Sequence, residues 1–149
     1  MTPLNLPQAK LKLTRKDDIV YVLCLIRKKK LVLTPEEWVR QHIIAYFTEK
    51  LNISLGKMAS EVSLEYNGLK KRADLVVLNK DGLPEILVEC KAPIISLSSS
   101  TLFQISTYYQ SLPAKILVLT NGLEHHVVNL ETKTESRDLT ELELFVGSN

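Results

Sequence analysis

Apolar residues along the chain form several short continuous runs and two longer segments with helical spacing. The short runs, bounded by turn residues, predict strands at 18–26, 31–33, 59–66, 73–78, 83–90 and, on either side of an Asn-Gly turn, within 115–131. The periodic segments predict helices at 34–51 and 101–112. The predicted order, β-β-α-β-β-β-α-β-β, is typical of an α/β fold with a mixed sheet.

The first predicted helix has the clearest boundary signals. Thr34 is a favourable N-cap, Pro35 suits the first helical position, and Glu37, three residues after the cap, completes a capping box. One face carries the apolar side chains of Val39, Ile43, Tyr46 and Phe47. We therefore expect this helix to pack on the sheet through that face.

The ends of the chain are less clearly patterned. Residues 1–17 are expected to form an ordered arm or a short strand, and residues 132–149 form a charged, weakly patterned segment. No internal repeat or domain-sized linker occurs, so the 149 residues are predicted to form a single domain.

Composition narrows the class of protein. With 45% hydrophobic and 24% charged residues, the chain has an ordinary globular composition. The formal net charge of +2 argues against binding nucleic acid by bulk charge, although local basic patches could still do so. No apolar run approaches the roughly 20 residues needed to span a bilayer, and no signal peptide is evident. We expect a soluble, cytoplasmic protein with no membrane partner.

Cysteine and histidine give no sign of a transition-metal site. Cys24 and Cys90 lie inside apolar runs without a CxxC pair, which predicts buried free thiols in a reducing compartment rather than a zinc site. His42, His125 and His126 lack metal-ligand spacing with acidic neighbours and are expected to be structural or surface residues.

Charged residues occur at the far end of an apolar hairpin. Asp81-Gly82 is a signal for a two-residue turn. With that turn, the residues that face each other across the two strands have numbers that add up to 163, so Asp74 faces Glu89. Strand alternation places Lys91 on the same face. Two opposed carboxylates repel each other, and Mg²⁺ would relieve that repulsion. The alternative is a simple ion pair of Lys91 with either carboxylate, in a slipped register.

Further polar residues fall on the helices. At 100° per residue, Glu36 lies at the centre of the apolar face of the first helix and should point toward the sheet. We favour Glu36 as a third carboxylate of the site, with Glu37 as the alternative. On the second helix, Gln104 and Tyr108 are four residues apart and share a face.

Together these residues resemble the PD-(D/E)xK nuclease superfamily. The matching features are Asp74, the pair Glu89-x-Lys91, an upstream helical glutamate and Gln104-x-x-x-Tyr108. The segments LTPEEWVRQH, GLKKRADLVV, VECKAP and LTNGLEH are similar to the N-terminal nuclease domain of type I restriction enzyme R subunits, over roughly residues 25–126. A single D…ExK match is common by chance, whereas four segments in the right order are specific.

The resemblance implies a restriction-endonuclease-like α/β fold, a central mixed sheet flanked by helices with the site at one end. It implies that Asp74 and Glu89 hold Mg²⁺, with Mn²⁺ as a substitute and Glu36 contributing directly or through water. Lys91 would orient or activate the attacking water and stabilise charge on the phosphate, while Gln104 and Tyr108 would support the site or contact the DNA backbone. The implied activity is metal-dependent hydrolysis of DNA phosphodiester bonds by an endonuclease of a restriction system.

Basic residues supply candidate DNA contacts. The predicted loop at 67–72 contains Lys70, Lys71 and Arg72 and directly precedes the Asp74 strand. The run at 27–30 is a second candidate, for which an ordinary solvated turn is the favoured interpretation. For the loop at 67–72 a solvated turn is the alternative. Because a small nuclease has one site and duplex DNA has two strands, we expect a two-fold homodimer.

The sequence departs from the family in two respects. The motif aspartate follows Ala73 rather than proline, a common variation in the superfamily. Full R subunits carry an ATP-driven motor, but the chain has no GxxxxGK[ST] phosphate loop, so it is expected to be a stand-alone relative or a detached domain. Motor or specificity subunits of a restriction system are therefore candidate partners.

Two other functions compete with the nuclease interpretation. The first is a catalytically silent nuclease fold that binds DNA or assists assembly, although an inactive site need not keep Asp74, Glu89 and Lys91 together. The second is a metal-free scaffold, which an absence of Mg²⁺ or Mn²⁺ binding would favour.

Overall fold

The computed structural model describes residues 1–66, 68–109 and 114–147. Its strands are β1 (Leu13–Lys16), β2 (Ile19–Leu23), β3 (Lys30–Val32), β4 (Met58–Tyr66), β5 (Leu69–Leu78), β6 (Pro84–Cys90), β7 (Ile116–Thr120), β8 (His125–Asn129) and β9 (Thr134–Ser136). Its helices are α1 (Pro35–Glu49), α2 (Ser99–Tyr109) and α3 (Glu141–Gly147), with a 3-10 turn at Leu55–Lys57. The predicted element order is confirmed from β2 to β8, and β1, β9 and α3 extend it into the weakly patterned ends.

The strands form two sheets. A small antiparallel sheet has the order β1-β2-β3, and a six-stranded sheet has the order β4-β5-β6-β7-β8-β9. In the larger sheet β6 and β7 are parallel, because α2 crosses between them, and the other neighbours are antiparallel. This is the predicted mixed sheet flanked by helices. In the described part of the chain, no helix combines the length and the apolar character needed to cross a bilayer.

Both faces of the central strands are covered. Alternate residues of β5 and β6 pack on the α1 side of the sheet, and these are Leu75, Val77, Ile86 and Val88. The other alternation packs with Tyr109 of α2 on the opposite side, through Val76 and Leu87. The charged residues at the end of these strands therefore lie next to two helices.

The start of α1 has only one of the two hydrogen bonds of a capping box. Thr34 has extended backbone angles, and its hydroxyl oxygen accepts from the Glu37 backbone N–H at 3.0 Å. The predicted reciprocal bond of the capping box is wrong: the Thr34 N–H donates to Val32 O at 3.0 Å. The Glu37 carboxylate instead turns toward Arg40, because a buried cation binds it more strongly than a neutral amide does.

The β5–β6 register is the predicted one, although its turn differs. Leu75 pairs with Val88 and Val77 with Ile86, so opposed numbers sum to 163. The loop holds three residues rather than the predicted two: the Asn79 N–H donates to Leu83 O at 2.8 Å, and Gly82 has a φ of 77°. The loop shifts the pairing by one residue, and a bulge after Val77 shifts it back.

The β4–β5 hairpin corrects another prediction. Lys70, Lys71 and Arg72 belong to β5 rather than to a loop, because they continue the ladder with β4 as far as the pair Tyr66–Leu69. Asn67 lies outside the described residues. Within β4, Glu61 has a φ of 53°, in the left-handed region that non-glycine residues rarely occupy.

The connection from β7 to β8 holds the N-terminal arm. The predicted Asn-Gly turn is a four-residue connection, in which the Asn121 N–H donates to Glu124 O at 3.2 Å. The Asn5 N–H donates to Gly122 O at 2.8 Å, and Asn5 O lies 3.0 Å from His125 Nε2. The arm is therefore ordered, as expected.

The two cysteines match their predicted state. Cys24 and Cys90 are buried free thiols.

Candidate active site

Asp74 and Glu89 meet at the end of the β5–β6 pair. They stand at the next position beyond the Leu75–Val88 pair, where the ladder between β5 and β6 ends. The Cys90 backbone N–H donates to Asp74 Oδ2 at 2.7 Å, and the Tyr109 hydroxyl donates to Glu89 Oε1 at 2.6 Å. One oxygen of each carboxylate is therefore fixed by a hydrogen-bond donor of a neighbouring element.

Glu36 and Lys91 complete the group. Burial and the charge of Asp74 raise the pKa of Glu36, while Arg40 and Lys91 oppose the rise. Burial is also the main cause of the raised pKa of Glu89; Asp74 adds to it, and Lys91 again opposes it. In distance terms, Glu36 and Asp74 are linked through Arg40, whose Nη2 lies 3.7 Å from a carboxylate oxygen of each. We call Glu36, Asp74 and Glu89 the carboxylate cluster.

The backbone of Lys91 is held by the neighbouring strand. Its N–H donates to Thr120 O at 2.8 Å, which continues the parallel β6–β7 pairing by one residue. Lys91 itself is half-buried. The backbone of Lys91 is therefore anchored to β7, directly after the end of β6.

Arg40 is the central cation of the site, and its side chain is only 7% exposed. Its Nη2 atom lies 3.7 Å from both Glu36 Oε1 and Asp74 Oδ1. Its Nη1 atom lies 3.2 Å from Glu37 Oε1 and 3.3 Å from Glu61 Oε1. Burial lowers the pKa of the guanidinium, but Glu37 and Asp74 outweigh it and the net pKa is raised. Arg40 therefore stays charged among four carboxylates.

Glu37 has a structural role beneath Arg40. Its second oxygen accepts from Gln41 Nε2 at 2.9 Å, and Gln41 Oε1 accepts from the Leu25 N–H at 3.0 Å. Glu37 is buried, whereas the Glu36 side chain is 44% exposed at the mouth of the site. Because both oxygens of Glu37 have partners, the geometry favours Glu36 over Glu37 as the helical residue of the carboxylate cluster.

Glu61 joins the site to its basic surroundings. It stands opposite Asp74 in the β4–β5 register, between the pairs Ser60–Leu75 and Val62–Ala73. Burial raises the pKa of Glu61, but its three arginine partners outweigh that effect and lower it overall. Glu61 is therefore ionised, and its strained backbone conformation is of the kind that clusters at functional sites.

The predicted basic residues lie on β5 beside the site. Arg72 is 65% exposed and donates to Glu61 Oε2 at 3.2 Å. The charge of Lys71 acts on Glu89 and opposes the rise in its pKa, which burial mainly causes. Lys70 is exposed. All three therefore flank the carboxylate cluster along one strand.

Helix α2 contacts the site through a residue that the sequence analysis missed. Gln104 is exposed, and no hydrogen bond between described residues joins it to the site. The side chain of Tyr108 lies outside the described part of the chain. Tyr109, fully buried, binds Glu89 instead. The spacing of Leu102, Ile105 and Tyr109 on one helical face was the available signal.

Arg40 and Glu61 were also missed, although signals existed. Arg40 follows Glu36 by four residues and Glu37 by three, which are helical ion-pair spacings that usually indicate a solvated surface. If Asn67-Gly68 is taken as a two-residue turn, the residue numbers of each β4–β5 pair add up to 135. The structure has this register, for example in the pair Val62–Ala73. That register places Glu61 opposite Asp74.

The donor atoms of the carboxylate cluster suit one class of metal. They are all carboxylate oxygens, the ligands that Mg²⁺ and Mn²⁺ prefer. As the side chains stand, no three His, Cys, Asp or Glu residues of the described ranges converge closely enough to hold a metal ion. Arg40, between Glu36 and Asp74, supplies the positive charge at this place. The donor chemistry fits, and the residues would have to close around an ion.

One consequence is a stability prediction for Glu89→Gln. Because burial, with Asp74, raises the pKa of Glu89, its ionised form destabilises the folded state at neutral pH. Glutamine keeps an acceptor for Tyr109. We expect the variant to melt above wild type in EDTA at pH 7, by about 2–4 °C for each kcal/mol gained. Thermal melts followed by circular dichroism measure this.

The pH dependence of that difference has a definite sign. A carboxyl with a raised pKa takes up a proton in the folded state first, so wild-type stability recovers as the pH falls. The gap between Glu89→Gln and wild type should close as the pH approaches about 4.3, the ordinary pKa of glutamate. Glu85→Gln, at a half-buried position on the same strand, is the matched control. A Glu89→Gln variant that melts below wild type at pH 7 would contradict the prediction.

Comparison with known proteins identifies the family. The family described as "Type I restriction enzyme R protein N terminus" matches residues 35–143, most of the chain. No curated protein matches the sequence closely enough to count as a relative. This family match confirms the resemblance predicted from the four short segments.

Two solved structures share the fold. A fragment described as an HsdR subunit of a type I restriction enzyme from Vibrio vulnificus YJ016 is 23% identical, with a TM-score of 0.54 and coverage of 76% of this chain. The chain spans only 25% of that protein's chain. A protein described as a nuclease belonging to DUF820, from Anabaena variabilis ATCC 29413, is 9% identical, with a TM-score of 0.50 and coverage of 76% of this chain and 75% of its own. The chain therefore has a nuclease-like fold and belongs to the family of type I restriction enzyme R protein N-terminal regions.

Proposed function

We propose that the chain is a metal-dependent DNA endonuclease domain that hydrolyses phosphodiester bonds within a restriction system. The observation that supports the proposal is that Asp74, Glu89 and Lys91 lie at the same end of the β5–β6 pair, with Glu36 next to Asp74 through Arg40, in a chain of the R-subunit family. Paired carboxylates beside a lysine are suited to phosphodiester hydrolysis, because the reaction needs both a metal site and a positive charge near the phosphate.

The carboxylate cluster would hold Mg²⁺, with Mn²⁺ as a substitute. When bound there, the ion lowers the pKa of a coordinated water and neutralises charge on the phosphate. The hydrogen bonds from Cys90 and Tyr109 hold Asp74 and Glu89 in place for this role. They restrict the rotamers of both carboxylates, which lowers the entropy lost when a ligand binds.

The remaining residues would act on the DNA. Lys91 would place its ammonium group next to the reacting phosphate and orient the attacking water. Lys70, Lys71 and Arg72 would bind backbone phosphates along β5. Gln104 and Tyr108 would support the site or contact the DNA backbone from α2.

The first test is DNA cleavage by the wild-type chain. Supercoiled plasmid incubated with the protein and Mg²⁺ or Mn²⁺ should be converted to nicked or linear product, and EDTA should stop the conversion. Agarose gels of supercoiled and linear substrates measure both products. Cleavage that continues in EDTA, or its absence with either metal, would contradict the proposal. A homodimer, which we also propose, would favour linear over nicked product.

A second candidate function is a DNA-binding or assembly module without catalysis. It is supported by the position of Arg40, whose guanidinium already neutralises Glu36 and Asp74. Such a module would shift DNA in a gel without cutting it in any metal. Cleavage that requires metal and Lys91 would exclude it.

A further inference from the structure

Three elements, the β2–β3 turn, β4 and β5, bring two arginines to one carboxylate oxygen. Arg27, from the turn between β2 and β3, donates through Nη1 to Glu61 Oε2 at 2.7 Å. Arg72, from β5, donates through Nη2 to the same oxygen at 3.2 Å. We call Arg27 and Arg72 the arginine pair. It joins the small sheet to the large one beside the carboxylate cluster.

Glu61 separates an inner cation from this outer pair. Its Oε1 atom lies 3.3 Å from Arg40 Nη1, and its Oε2 atom faces the arginine pair. Arg40 is buried, whereas the side chains of Arg27 and Arg72 are 34% and 65% exposed. One carboxylate thus holds a buried arginine toward Asp74 and two accessible arginines toward solvent.

The arginine pair retains unused binding capacity. A guanidinium has five N–H donors in a planar fork, and one shared oxygen can accept only a few of them. Among the described residues, the structure gives neither side chain another hydrogen-bond acceptor. The pair carries two positive charges against the single charge of Glu61, which also faces Arg40. The excess charge and the free donors both suit a phosphate group.

The backbone of Glu61 is consistent with a site built for this purpose. Its φ of 53° in the middle of β4 costs on the order of 1–3 kcal/mol for a residue other than glycine. An ordinary exposed ion pair contributes only about 0–1 kcal/mol. The exposed pairs with Arg27 and Arg72 therefore do not by themselves offset this cost; the pair that Glu61 also makes with the buried Arg40 contributes to it as well.

We propose that Arg27 and Arg72, gathered by Glu61, bind one backbone phosphate of the DNA strand next to the carboxylate cluster. The inference rests on the proposed function, since it names a substrate contact of the same site. It also assigns a role to Arg27, whose run at 27–30 was interpreted from sequence as a solvated turn. Because Glu61 stands opposite Asp74, a phosphate held here would fix the position of the strand relative to that carboxylate.

The test is DNA binding in EDTA, where no metal-dependent cleavage can occur. Fluorescence anisotropy of a short labelled duplex, measured between about 50 and 200 mM salt, gives the affinity and its salt dependence. We expect Arg27→Ala/Arg72→Ala to weaken binding at least tenfold and to reduce the slope of log K against log salt by about 1, the change for one lost phosphate contact.

The matched control removes the same charge elsewhere. Lys80 and Lys115 lie at the other end of the large sheet, away from Asp74 and Glu89. The double variant Lys80→Ala/Lys115→Ala should therefore change the affinity and the salt slope much less. If both double variants behave alike, the arginine pair has no special role and the proposal is wrong. If the alanine variant does not fold by circular dichroism, Arg27→Gln/Arg72→Gln keeps a donor for Glu61 while removing both charges, and the same comparison applies.

The outcomes separate this inference from the proposed function. A wild-type protein that binds no DNA at any salt concentration contradicts both. A wild-type protein that cuts DNA while the arginine variant keeps the salt slope of the control contradicts only the inference. A loss of slope confined to the arginine variant supports it whether or not the protein cuts.

Discussion

Lys91→Ala is expected to reduce metal-dependent DNA cleavage at least about 100-fold, the loss typical when a group that stabilises transition-state charge is removed. The fold should survive, because only the backbone N–H of Lys91 takes part in the sheet, bonding Thr120 O. Initial rates of plasmid nicking at saturating Mg²⁺ measure the effect. Lys115→Ala, an exposed lysine preceding β7, is the control and should retain wild-type rates.

The dependence of that rate on metal concentration distinguishes the roles of the site residues. Removing the Lys91 ammonium makes the cluster more negative, so Lys91→Ala should keep or lower the Mg²⁺ concentration that gives half-maximal rate. Asp74→Ala and Glu89→Ala remove ligands and should raise it, in addition to losing most of the activity. Equal activity in wild type and all three variants would indicate a contaminating nuclease.

Arg40→Met should cause the largest loss of stability among the site residues. The substitution removes the cation that lies within 4 Å of Glu36, Glu37, Glu61 and Asp74. Breaking a buried ion pair from one side costs about 3–5 kcal/mol, which for a chain of this size corresponds to a fall in Tm of about 6–20 °C. Thermal melts in EDTA measure it, with the exposed Arg15→Met as control.

Metal should partly reverse this loss. Without Arg40, the carboxylates of Glu36 and Asp74 lack a counter-charge, so Mg²⁺ or Mn²⁺ should raise the Tm of Arg40→Met by more than it raises that of wild type. A ligand that binds only the folded state stabilises it by about 2.7 kcal/mol at 100 times Kd. An Arg40→Met variant that melts at the wild-type temperature in EDTA, or that responds to metal no more than wild type does, would show that Arg40 does not neutralise the cluster.

The turn signal in the sequence correctly predicted how β5 pairs with β6. The Asp81-Gly82 signal gave the register that joins Leu75 to Val88, even though the real loop has three residues. Both faces of this strand pair are buried, so a one-residue slip would move every side chain to the opposite face, against the wrong helix. The three-residue loop is accommodated by a bulge after Val77, which costs less than a slip of the whole strand.

Contacts set by tertiary packing have no signature in the local sequence. Nothing in the local sequence shows that Arg40 is buried, since its spacing to Glu36 is also that of a surface pair. The conformation of Glu61 depends on three arginines from other segments, and a left-handed residue inside a strand has no local signature. Tyr109 was missed because the Gln104-x-x-x-Tyr108 resemblance directed attention to the neighbouring residue.

The wide sequence separation of these contacts affects how the site appears during folding. Arg27 and Glu61 are 34 residues apart, Arg40 and Glu61 are 21 apart, and Glu89 and Tyr109 are 20 apart. Contacts of this kind form late, because the chain must close long loops before they can stabilise it. A nascent chain that has not yet delivered α2 lacks the Tyr109 donor for Glu89. An activity built on these residues would therefore arise only when the fold is complete, and incomplete chains would not damage DNA during synthesis.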